Sequence, residues 1–196
     1  FGNKVTMLYA EGPIADIVII VAGQVLTTES NGVVRGSHEP LPEGLFLRTT
    51  PRTASDAALA AFANGAFGGG AQTLDRLHRW NAALAVCFPG VPDAPDSGLS
   101  AAEAFAAPTP SSRDLAHIYI AGARALNVPA RYVSGYRQHD GGESAPHGWA
   151  EAWVEGLGWV GFDPSAGISP DESYGRVAVG LDAPGAATIA GSRLGQ

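Results

Sequence analysis

At Asn127-Val128-Pro129 the spacing of apolar residues changes from helical to alternating, and no other feature constrains the fold as strongly. Before that point, SDAALAAFANG reads as a short helix stopped by Gly65, and Leu74, Leu77, Trp80 and Leu84 recur at helical spacing in the next segment. Ser100 with Glu103 forms a capping-box pattern for a short helix that ends before Pro108. Pro110, Ser111 and Asp114 announce a further helix. Leu115, Ile118, Ala125 and Leu126 give it an apolar stripe, and Gly122 on the same face allows close approach of a neighbour. Asn127 and Pro129 end it. Beyond the switch, RYVSGYR, HGWAEAWVE, WVGFD and YGRVAVG are each bounded by turn residues and joined by short connections, the pattern of an antiparallel sheet. Helices followed by strands define an α+β chain.

Ahead of the helices, KVTMLY, ADIVIIVAG and QVLTTE are strand-like runs separated by Gly and Pro, and residues 36 to 52 are turn-rich with three prolines. The expected division is a partial N-terminal β region plus linker over residues 1–52 and a core over 53–196. FGNKVTMLYAEG reads as half a hairpin whose partner strand precedes Phe1. A fragment or processed product that associates with a missing N-terminal segment is therefore expected. GAFGGG lacks the Gly-Lys-Ser/Thr ending and preceding strand of a phosphate-binding loop and reads as a connector. From Ala183 the Ala/Gly-rich tail reads as an edge strand or a loosely held end.

Charge narrows the function classes. With twelve basic against nineteen acidic residues, net charge −7 and no Lys/Arg cluster, the chain lacks the concentrated positive surface that nucleic acid requires. No apolar run reaches the roughly eighteen residues of a membrane span, and no targeting signal is readable, so a soluble, cytoplasmic protein without a membrane partner is expected. Cys87, alone of its kind, excludes an internal disulfide or a cysteine-based zinc site. Its apolar flanks in AALAVCFPG predict packing as a small hydrophobe. An alternative role as a thiol nucleophile would require it to swing into a site.

Chemistry-bearing residues concentrate between Pro110 and Ser165. Ser112 falls in the first turn of its helix, where unpaired N–H groups and the positive end of the dipole favour developing negative charge; serine is also a common capping residue there. His147 opens a strand after a polar Gly-rich loop, at a sheet edge where a base has access. Asp163 closes the following strand before Pro164, placed either to orient an imidazole or simply to make a turn. Pairing Trp153 with Trp159 around Glu155-Gly156-Leu157 sets Trp149 opposite Asp163 and makes His147 its diagonal neighbour on the same face. Trp149, Trp153 and Trp159 then pack in the core or beside the site. His117, inside the helix, reads as a hydrogen-bonded core or lid residue. His38, His78 and His139 have no spacing that suggests a metal, and no metal or cofactor is expected.

These segments resemble the transglutaminase-like superfamily, particularly its bacterial transglutaminase-like and cysteine-protease-like members, over roughly Ala58 to Ile168. The family's Gly-Val-Cys-Gln-Asp-Phe-Ala-His matches Pro110 through His117, and Leu-Gly-Ile-Pro-Ala-Arg-Tyr-Val-Ser-Gly-Tyr is nearly reproduced by Leu126 through Tyr136. His-Ala-Trp matches His147-Gly148-Trp149, and Gly-Leu-Gly-Trp-Val-Gly-Phe-Asp-Pro matches Gly156 through Pro164. The resemblance implies a papain/transglutaminase-like core with Ser112 in the position of the nucleophilic cysteine and His147 and Asp163 as its partners. Two functions follow. One is a hydrolase or acyl-transferase that cleaves amide or ester bonds of a peptide or protein through a Ser-His-Asp variant of the triad. The alternative is a catalytically inactive domain that binds peptide or protein in the same cleft.

Overall fold

Capping side chains set where three of the four α-helices among the described residues begin. In the computed structural model, which describes residues 1–37, 40–69, 72–91, 94, 96–139 and 144–191, α1 spans Ala57–Phe67 and starts where the Asp56 carboxylate accepts the Leu59 N–H at 2.8 Å. It runs two residues past the expected stop at Gly65 and ends at Gly68, whose φ of 58° is left-handed. Burial of Phe67 beside Trp80 accounts for the extension, because a large ring removed from water outweighs the ~1 kcal/mol that a helical glycine costs. The second helix, α2, spans Thr73–Cys87 and buries Leu77, Trp80 and Leu84. Cys87 does not pack inward as expected: it is exposed, and Phe88 occupies the inward position at that helix end.

Helix α3, Ala101–Ala106, begins with the Ser100/Glu103 capping box. The longest-buried element is α4, Ser112–Ala125, in which every residue from Asp114 to Arg124 is buried. Gly122 sits where a Cβ would stand 2.6 Å from the Trp80 ring, so the glycine is what allows α2 to approach α4. At the other end Asn127, with φ 60°, turns the chain out of the helix.

Four antiparallel strands follow: β1 Ala130–Gln138, β2 Ser144–Val154, β3 Gly158–Phe162 and β4 Tyr174–Gly180, in the order β3-β2-β1-β4. Helix α4 packs on β1 and β2, so helices and sheet bury one common core. Arg124 locks the layers together. Its buried guanidinium donates to Phe46 O, Ala130 O, Leu181 O and Thr53 Oγ1, joining the N-terminal turns, β1 and the end of β4. Burial lowers its pKa to about 10.

Residues 1–30 are in no helix or strand, unlike the strand-like reading of their sequence. Alternation alone does not make a strand; a partner edge with matching register is needed. Short stretches meet the sheet edges instead, Asn3 within this segment and residues 32–34 just beyond it. The Asn3 side-chain amide brackets Val179 of β4, donating to its O at 2.7 Å and accepting from its N at 2.9 Å. On the opposite edge, Val34 N donates to Trp159 O and Gly161 N to Gly32 O, flanking a single bridge between Val33 and Val160. Both exposed ladders are thereby blunted. The tail forms a 3-10 turn at Pro184–Ala186 with Ala186 buried, rather than an edge strand. His38, the last glycine of GAFGGG and residues 140–143 before His147 lie outside the described residues. None of the described helices is long and apolar enough to cross a membrane.

Candidate active site

Register brings the imidazole to the carboxylate. Trp153 pairs with Trp159 and Ala150 with Phe162, so one further step sets Trp149 across from Asp163 and His147 diagonal to it. His147 Nε2 lies 2.8 Å from Asp163 Oδ2, with both residues buried. The same carboxylate oxygen accepts from the Tyr174 hydroxyl at 2.7 Å. Its other oxygen accepts from the Ser165 N–H at 2.9 Å and the Ser165 hydroxyl at 2.6 Å. Arg137 adds a cation 3.8 Å away. Burial by itself would raise the Asp163 carboxyl, but the bonds from His147, Ser165 and Tyr174 prevail and hold it below its ordinary range. A carboxylate so held favours the tautomer with hydrogen on Nε2, which makes Nδ1 the basic nitrogen.

Ser112 is the first residue of α4, directly after the cap residue Ser111, and is 1% exposed. Its helix start abuts β2 one residue past His147: a Cβ on Gly148 would collide with the Tyr132 hydroxyl and stand 3.3 Å from Arg113 Cγ. Glycine at 148 thus makes room for Tyr132 and for the Arg113 stem. Next to them lies a cavity of about 290 Å3 lined by His147, Arg113, Asp96, Tyr132 and Tyr136 among others. Cys87 is not among its lining residues. Trp149 stacks near His147 with ring centroids 6.3 Å apart and meets Tyr174 edge-on at 5.5 Å, walling the acid from water.

A second polar cluster lies one turn along α4. Ligand atoms of Asp96, Asp114 and His117 fall within 4.8 Å of one another. Their bonds suit a capping network better than a metal. Asp114 Oδ2 accepts from the Ser111 N–H and hydroxyl, and its Oδ1 from Ser97 at 2.6 Å. His117 Nε2 accepts the Ala183 N–H at 3.0 Å, which places the hydrogen of a neutral ring on Nδ1 and leaves no lone pair for an ion. Burial lowers its pKa to about 4. His117 is thus the hydrogen-bonded core residue expected. His78 packs edge-on against Phe162.

Sequence reasoning missed Tyr174 and Ser165 as partners of Asp163. Ser165 carried a signal, since a serine two residues after an aspartate commonly bonds back to it. Tyr174 carried none, because its contact depends on how β4 returns across β1.

Comparison with known proteins bears on this arrangement. The model of the transglutaminase-like superfamily matches residues 60–164, more than half of the chain. An uncharacterized protein of Mycobacterium leprae (strain TN) is 31% identical over 125 residues, which is 60% of this chain; the chain spans only 43% of that relative's length. A crystal structure from Cytophaga hutchinsonii, of a protein proposed to be a cysteine protease, superposes with a TM-score of 0.63 at 24% identity, covering 82% of this chain and 55% of that one. The periplasmic domain of TgpA from Pseudomonas aeruginosa, bound to ethylmercury, aligns with a TM-score of 0.47 at 20% identity over 70% of this chain and 53% of that chain.

Proposed function

The chain belongs to the transglutaminase-like superfamily, and from that premise we propose that it is a hydrolase or acyl-transferase acting on amide or ester bonds of a peptide or protein. Ser112 Oγ attacks the acyl carbon while His147 Nδ1 takes its proton, and Asp163 holds the ring and stabilises the imidazolium. The first turn of α4 offers its positive end to the tetrahedral oxyanion. Collapse expels the leaving group, which takes the proton from Nδ1. Water or an amine then attacks the acyl-serine by the same route.

The observation that carries this reading is the buried His147–Asp163 pair, whose carboxylate is further fixed by Tyr174 and Ser165. Such a set of donors has a chemical use when an imidazole must be both oriented and charged. The test is labelling by a serine-directed fluorophosphonate, with mass spectrometry locating the adduct on Ser112 and its loss in His147→Ala. Absence of any adduct across a panel of such probes, with turnover unchanged in Ser112→Ala, would eliminate the reading.

One observation favours the silent alternative: Ser112 is covered, at 1% exposure. A hydroxyl must be deprotonated during attack, so it depends on access and alignment more than a pre-ionised thiolate does. In that case the cleft binds peptide without cleaving it. Ser112→Cys separates the two. The thiol variant of a sound site alkylates rapidly and gains hydrolysis of activated esters, whereas a collapsed site stays inert with either atom.

A further inference from the structure

Charge around the cavity is unevenly compensated. Asp96 has Arg52 at 3.5 Å and accepts the Gly98 N–H. Asp163 is saturated by the donors described above. Arg113 differs from both. Its stem lies along Gly148, it is half-buried at the cavity wall, and among the described residues no acceptor pairs with its guanidinium. In a chain of net charge −7, many carboxylates compete for a cation, so a partly desolvated guanidinium without an acidic partner is a place where an anion completes the structure. Tyr132 stands beside it at the same wall, its hydroxyl kept protonated because burial pushes the phenol well up. A fork of N–H donors next to a phenol O–H matches the two oxygens of a carboxylate.

We infer that Arg113 is a specificity-determining residue that seats a carboxylate of the acyl donor in the cavity beside His147, so that the substrate class is an acyl group carrying its own negative charge. This inference rests on the proposed acyl-transfer reading for its kinetic form, while the binding it describes stands apart from turnover. The cavity, at about 290 Å3, is close to the lower limit of small-ligand sites, with room for one short acidic side chain. Asp96, which also lines the cavity, does not cancel the selection, because its charge is already matched by Arg52.

Two esters of equal chain length isolate the effect: mono-p-nitrophenyl glutarate, which ends in a carboxylate, and p-nitrophenyl pentanoate, which does not. The expected result is a preference for the glutarate in kcat/KM of about tenfold, the size of one charge-assisted hydrogen-bonded pair, expressed in KM. Arg113→Gln brings the ratio near one, Arg113→Lys retains part of it through charge alone, and added salt erodes it. No preference in the parent chain, or a preference that survives Arg113→Gln in a variant whose melting is normal, overturns the inference. If neither ester is hydrolysed, the acyl-transfer reading fails by itself. Calorimetry with glutarate monoamide then decides the inference: about tenfold weaker binding to Arg113→Gln supports it, and equal binding refutes it. Should Arg113→Gln fail to fold, Arg113→Lys carries both arms, since it keeps the stem on Gly148 but not the fork; affinity equal to that of the parent chain then counts against the seat.

Discussion

Asp163 is the residue on which the candidate site turns, and its partners are unequal in what they control. Ser165 occupies one oxygen from two residues away, a local turn that would form around any exposed aspartate. Tyr174 shares the other oxygen with His147 and comes from a different strand. It is therefore a positioning residue, acting on the imidazole through the carboxylate. Tyr174→Phe is expected to cost about 2 kcal/mol of stability, as the loss of a bond to a charged acceptor. It should also move the carbon-13 NMR titration of the Asp163 carboxyl upward, since one of the bonds that lowers it is gone. A variant that is merely less stable, with an unmoved titration, would show that Tyr174 only packs. The sequence made His147 and Asp163 readable as a pair because the three-residue turn fixes register and register fixes the face. Tyr174 was unreadable for the same reason in reverse: the connection from β3 to β4 is too long to set a register.

Among the elements, α4 bears the largest share of the architecture, and its sequence announced both of its ends. Ser111 and Asp114 cap it reciprocally, and the left-handed Asn127 closes it. Its middle is governed by packing instead. Gly122 is a poor helix former, and on an exposed helix its replacement by alanine would gain about 1 kcal/mol. Here the added methyl meets the Trp80 ring at 2.6 Å and Ala63 Cβ at 3.1 Å. Trp80 cannot yield easily, because its indole N–H donates to Tyr119 O at 3.1 Å and its ring is fully buried. Gly122→Ala should therefore destabilise by about 1–3 kcal/mol, the usual cost of overpacking a core, measured by urea unfolding at unchanged slope. A gain in stability would mean that the α2–α4 contact is looser than described. α1 and Cys87 show where periodicity stops being informative. Helix ends are settled by which ring finds the core, Phe67 in one case and Phe88 in the other.

On the scale of the whole molecule, the clearest consequence concerns acid. His117 is held neutral in the core, with its pKa lowered from 6.5 to about 4 by burial, and its Nε2 receives the N–H of Ala183 from the C-terminal segment. Above pH 6.5 the ring is neutral in both folded and unfolded chains and contributes no pH dependence. Between 6.5 and about 4 the unfolded chain takes a proton that the folded one refuses, so stability falls as pH falls, by about 3 kcal/mol over the window. Asp163 works in the same direction but lower, because its depressed carboxyl loses its contribution only below its ordinary value of 3.8. The two effects are separable by pH. Melting temperature should decline steadily from neutrality to about pH 4, and His117→Gln, whose amide oxygen can still accept from Ala183, should flatten that decline whatever it does to stability at neutral pH. A slope unchanged in this variant would assign the acid sensitivity to other groups. The helical pattern made His117 readable as a core residue but not the N–H of the tail that fixes its Nε2, which arrives from 66 residues away, just as Asn3 and residues 32–34 are revealed as edge covers only against the finished sheet.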